Sequence, residues 1–193
     1  VEKVTFHNYT ITQRGTEPKA VNLDPIRSMG IPQDIHQLRA FLGCCQQLAN
    51  YVEDYGIIAR PLQDLNKKNA FPKQWVKGSA YDISFHRLKE VMLDGSRYLF
   101  NKDPNRRLFI EVDASDSGWG ACAYQMEAPW TGEPELEGRE RMLDKGKRLV
   151  VQWISKAWTE HELRLPIFYR ESLARLLALE KFRNLIETNI ASG

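Results

Sequence analysis

Cysteine is scarce in this chain: three among 193 residues, at positions 44, 45 and 122, two of them adjacent. An odd count without a CxxC pair argues against a disulfide framework and against a cysteine-built zinc site, leaving small buried side chains in a reducing compartment. Long apolar runs are missing too. None approaches the roughly 18 residues that a membrane span needs, and no charged-then-apolar leader opens the chain. The expectation is an intracellular protein, cytoplasmic or nuclear, without membrane contact. Val1 in place of Met reads as the start of a fragment. Charge of one sign is also lacking: 27 Lys and Arg stand against 25 Asp and Glu, for a net charge of +2. That is too mild to announce nucleic-acid binding by itself, although acidic metal sites lower the net charge of nucleases. What is present is ordinary for a globular protein, 42% hydrophobic and 27% charged residues, enough to build a core.

The first half reads as largely helical. Residues 4–12 are β-branched and aromatic and predict a strand, closed by turn chemistry at Gln13-Arg14-Gly15. A short helix is expected over 19–29, with Pro25 near its middle. Asp34 stands where an N-cap belongs, ahead of Ile35, Leu38, Leu42, Cys45, Ala49 and Val52 at helical spacing, which predicts a helix over 35–52. Further helices are expected over 57–67 and 80–93.

After about residue 100 the period changes. Leu108, Ile110 and Val112 alternate with Phe109, Glu111 and Asp113, the pattern of a strand with one buried face. Asp116-Ser117-Gly118 predicts a hairpin turn into a second strand over 119–126. Residues 127–147 are charged and contain Pro and Gly, which suits a solvated loop. A third strand is expected over 149–155 and a long helix over 167–187. His161-Glu162 lacks the second His of HExxH, since position 165 is Leu, so a zinc-protease reading fails.

A strand ending in Asp113 and a helix with Glu171 in its first turn could bring two carboxylates together. Two-metal hydrolysis of phosphodiesters needs carboxylates from separate elements around two divalent cations. Each residue also has a plain explanation: Asp suits turns, and Glu favours a helix start.

The wording of the two segments adds to this pattern. FIEVDASDSGWGACAYQ (109–125) resembles the first hairpin of the ribonuclease-H-like domains of retroelement reverse transcriptases. WISKAWTEHELRLPIFYRESLARLLALEKFRNLI (153–186) resembles the later strand, turn and helix of that family. Upstream, VTFHNYTITQRGTEP (4–18) is similar to the closing hairpin of the polymerase palm. Residues 26–68, with Leu-Arg-Ala-Phe-Leu-Gly at 38–43, are similar to the thumb of gypsy-like LTR retrotransposon enzymes. The resemblance runs over nearly the whole chain in the family's order.

It implies an α/β protein: a palm end over 1–24, a mainly helical thumb and connection over 25–100, and an incomplete ribonuclease-H-like mixed sheet with a long helix over 101–193. It implies Asp113 and Glu171 as ligands of Mg²⁺ or Mn²⁺ in a two-metal site. It also implies an RNA–DNA hybrid as partner, beside the rest of a reverse-transcriptase polyprotein. Ser115, Lys67, Lys68 and Lys73 are the candidate nucleic-acid contacts. The family's polymerase carboxylates would lie upstream of Val1, and its next catalytic Asp after the long helix. Hydrolysis by this piece alone is therefore expected to be weak or absent. The alternative is a non-catalytic module that binds nucleic acid or protein.

Overall fold

The computed structural model describes residues 3–6, 9–67, 70–94, 98–127 and 148–190. The single strand expected over 4–12 is two short ones, β1 (Val4–Phe6) and β2 (Tyr9–Ile11), paired antiparallel with Val4 opposite Ile11. Strand β3 (Gly15–Pro18) extends this sheet, and β4 (Leu99–Phe100) closes it from the far end of the helical segment. At that junction the Cβ of any residue replacing Gly15 would lie 2.0 Å from the Leu99 carbonyl oxygen, so only glycine lets the two backbones meet.

Between β3 and β4 lie the helices α1 (Ala20–Ser28), α2 (Ile35–Gln46), α3 (Tyr55–Ile58), α4 (Arg60–Lys67) and α5 (Ala80–Leu93). Two of these starts, those of α2 and α5, have a local cause. Asp34 accepts a hydrogen bond from the Gln37 N–H at 2.8 Å, and Ser79 accepts one from Asp82 at 3.2 Å, which satisfies donors orphaned by the first turn. The helix expected over 35–52 ends at Gln46 and passes through a 3₁₀ turn at Ala49–Tyr51. The segment expected over 57–67 is two helices broken at Ala59. Ile26, Leu38, Phe41, Leu42, Cys45, Leu62, Phe85, Leu88 and Met92 form the core of this half.

The second half is a three-stranded antiparallel sheet, β5 (Phe109–Ala114), β6 (Gly118–Met126) and β7 (Arg148–Ala157), in that order. A capped turn, α6 (Glu160–Leu163), leads into α7 (Ile167–Lys181) and α8 (Arg183–Ile190). Helix α7 lies across β5 and β6. Trp119, Ala121 and Ala123 meet Ala174, Ala178 and Phe182 in a second core, bordered by Ile110, Val112 and Ala114. Four alanines at this contact let helix and sheet approach closely.

The other face of the sheet is covered by α3. The Gly56 N–H donates to the Ser155 hydroxyl at 2.8 Å, and the Arg60 guanidinium donates to the Trp158 carbonyl at 2.8 Å. The two cores therefore share a seam formed in part by backbone.

Candidate functional site

Asp113 occupies the second-to-last position of β5, opposite Gly120 of β6. It is exposed, and its carboxylate accepts a hydrogen bond from the Ala114 N–H at 3.0 Å. Strand alternation turns Val112 and Ala114 toward α7 and sends Asp113 to the opposite side. Strand β5 borders no second strand among the described residues, so Asp113 stands on an edge of the sheet.

Glu171 sits in α7. Arg170, Ala174 and Ala178 recur every fourth residue and form the buried stripe of that helix. Glu171 follows Arg170 by about 100° of azimuth, on the margin of the stripe, and is exposed. The elements that carry the two carboxylates are thus in contact, while the side chains leave on different sides. Among the described residues, no three His, Cys, Asp or Glu side chains are grouped so as to hold a metal ion.

The donors suit a hard cation in kind. Mg²⁺ takes oxygen ligands and is commonly held by one or two carboxylates, its other positions going to water and substrate phosphate. Two carboxylates meet that need for one ion; they do not furnish a second.

The residue beside Glu171 escaped the sequence reading. Arg170 is nearly buried, and its guanidinium reaches the hairpin turn after β5, donating to the Asp116 carboxylate at 3.0 Å and to the Asp116 carbonyl at 3.3 Å. It therefore fixes the first turn of α7 against the turn that follows Asp113. Nothing local marks this, because the partners are 54 residues apart. Asp54 was missed as well. It is a non-glycine residue with positive φ, 59°, a conformation Asp tolerates better than most. Its carboxylate lies 3.0 Å from where a Gly120 Cβ would stand, on the face that Asp113 shares.

The remaining candidates are spread out. Ser115 is spent in the turn: its N–H donates to the Gly118 carbonyl at 2.8 Å, while its hydroxyl donates to the same carbonyl and accepts from the Ser117 and Gly118 N–H groups. Lys67 is exposed at the end of α4, and Lys73 is exposed between α4 and α5. Lys68 lies outside the described residues, as do Arg139, Arg141, Lys145 and Lys147 of the charged loop. Trp119 and Trp158 are core residues. Glu111, on the Asp113 face, pairs with Arg148.

Residues 103–190 match the family described as the RNase H-like domain found in reverse transcriptase. Over 188 residues, or 97% of its length, the chain is 23% identical to the Transposon Tf2-3 and Tf2-4 polyproteins of Schizosaccharomyces pombe (strain 972 / ATCC 24843). It spans only 13% of the length of those relatives. Among solved structures, 95% of the chain superposes on a foamy viral protease-reverse transcriptase in complex with RNA/DNA hybrid, with a TM-score of 0.72, 20% identity and 22% of that chain covered. The same enzyme in complex with dsDNA gives a TM-score of 0.70, with 34% of that chain covered. The fold is that of the corresponding stretch of these enzymes. No helix among the described residues is long and apolar enough to cross a membrane.

Proposed function

We propose that the chain, whose residues 103–190 match the RNase H-like domain found in reverse transcriptase, is the thumb-to-nuclease stretch of a retroelement reverse-transcriptase polyprotein, and that its chemistry is hydrolysis of the RNA strand of an RNA–DNA hybrid. The observation that carries this reading is the family match over a segment whose strand β5 and helix α7, in contact, bear Asp113 and Glu171.

Asp113 and Glu171 would hold Mg²⁺ or Mn²⁺. When bound, the ion lowers the pKa of water and stabilises charge on the phosphate. The protein's own part is positioning. Arg170 ties the start of α7 to the hairpin turn, and Trp158 donates its indole N–H to the Ser115 carbonyl at 2.8 Å, clamping the same turn from the sheet side. A hybrid would extend from the sheet toward the helical half, where Lys67, Lys68 and Lys73 add salt-sensitive contacts to phosphates. A-form duplexes are recognised by shape and 2′-hydroxyls more than by sequence, so little base preference is expected.

The second reading, a module that binds without cleaving, is favoured by the absence of a third grouped donor among the described residues. Cleavage of a labelled RNA–DNA hybrid in Mn²⁺ separates the two. Hydrolysis that falls about 100-fold or more in Asp113→Asn supports the nuclease. Hybrid binding without cleavage, unchanged by that substitution, supports the module.

A further inference from the structure

Two cavities flank α3, and their charges differ. The larger, about 630 Å³, has Glu53, Asp54 and Asp94 in its wall against one cation, Arg87. The smaller, about 270 Å³, opens where α4 meets the end of β7, and its charged lining is wholly cationic: Arg60, Lys67 and Lys156. At about 30 Å³ per water it has room for several.

The smaller cavity also carries neutral donors. The Ser155 hydroxyl accepts from the Gly56 N–H at 2.8 Å, and the Thr159 hydroxyl accepts from Glu162 at 3.3 Å, so each has its own proton left to donate. Tyr55 lines the same wall. Its hydroxyl is buried beside the Gln63 side chain, which is within reach to hydrogen-bond it. Burial pushes the Tyr55 phenol well above its ordinary pKa, so it remains a donor.

Arg60 is taken by Asp64 at 2.7 Å and by the Trp158 carbonyl, so the cations left for a ligand are Lys67 and Lys156. Glu162 stands 3.7 Å from Lys156, a loose contact with a half-exposed lysine. Neither carboxylate lines the cavity.

We infer that this cavity at the seam of the two halves is a binding site for a phosphoryl group, held by Lys67 and Lys156 with the Ser155 and Thr159 hydroxyls. Two lysines and two hydroxyls lining a space with no carboxylate in its wall suit a tetrahedral oxyanion, and charge-assisted hydrogen bonds to phosphate are the strong ones. The group could belong to a nucleic-acid backbone or to free phosphate. The first source rests on the hybrid-binding function proposed above; the second does not.

The test uses the full chain and two probes. Inorganic phosphate is titrated while the amide signals of Gly56 and Ser155 are followed, with sulfate as a competitor. Separately, binding of an RNA–DNA hybrid is measured across a salt series for the native chain, Lys67→Gln, Lys156→Gln and, as a remote control, Arg27→Gln on α1. A backbone site predicts severalfold weaker hybrid binding for both lysine variants, with a log–log salt slope shallower by about 1 each, and no change for the control. A free-phosphate site predicts saturable shifts at Gly56 and Ser155 that weaken in the two lysine variants, with hybrid binding unaltered in Lys156→Gln. The inference is overturned if neither amide shifts and Lys156→Gln binds hybrid with the native affinity and slope. Loss of all hybrid binding with phosphate shifts retained would sink the proposed function and leave the site standing.

Discussion

At the scale of single residues, chemistry and structure meet around Arg170. Its charge is matched by Asp116, whose side chain is 95% open to water, so the pair is worth less than a buried one. Arg170→Ala is expected to cost about 1–2 kcal/mol, much of it lost packing of the arginine stem. In urea titrations the change should appear in the denaturation midpoint with an unaltered slope. A second residue-scale prediction concerns pH. The Gly78 N–H and then the Trp75 indole N–H donate to the Asp82 carboxylate, at 2.8 and 2.7 Å, and hold its pKa below the usual carboxylate range. A depressed folded-state pKa gives stability that is present above the unfolded value, about 3.9, and is lost as pH falls through the folded one. Thermal melting should therefore show Asp82→Asn less stable than the native chain at pH 7, with the gap narrowing as the pH falls below about 3.9. A gap that stays constant over that range would contradict this account of Asp82.

Among the elements, what could be read in the sequence depended on whether its cause was local. The Asp34 cap, the alternation along β5, the hairpin turn at 116–118 and the start of the long helix at 167 all declare themselves within a few residues. The run 4–12 did not. Its β-branched and aromatic residues carry no Gly or Pro to announce that it divides into β1 and β2. The α3 seam was also illegible, because its requirement for glycine comes from distant backbone. A Cβ on Gly56 would lie 2.5 Å from the Ser155 carbonyl oxygen, and one on Gly118 would lie 2.5 Å from that of Lys156. Gly56→Ala should cost about 1–3 kcal/mol by forcing α3 off the sheet. Gly43, in the middle of α2, has open space where its Cβ would go. Gly43→Ala should instead stabilise by about 0.5–1 kcal/mol, through helix propensity and a less flexible unfolded chain. Opposite signs for two identical substitutions, read from the same chemical denaturation series, would confirm that approach of the backbones decides the outcome; equal signs would not.

For the whole molecule, the strongest sequence signal was wording spread over both halves in one order, and the family match and the foamy viral superposition agree with it. The candidate site was legible only in part. Asp113 and Glu171 could be named from their segments, whereas Arg170, Asp54 and the cationic cavity depend on contacts between residues far apart in the chain. The two halves share a hydrogen-bonded seam at Gly56–Ser155 and Arg60–Trp158, so they should unfold together. Fluorescence and far-UV circular dichroism are expected to report one coincident transition, and two separated transitions would mean the seam contributes little.

Whether Asp113 and Glu171 hold the same divalent cation, as proposed, can be read from paramagnetic broadening by Mn²⁺ without relying on turnover. Amide signals at the end of β5 and around Glu171 in α7 should broaden together at one Mn²⁺ concentration, and Asp113→Asn and Glu171→Gln should each abolish both effects. Broadening at only one of the two elements, or signals that survive either substitution, would contradict a shared ion and leave the non-catalytic reading in its place.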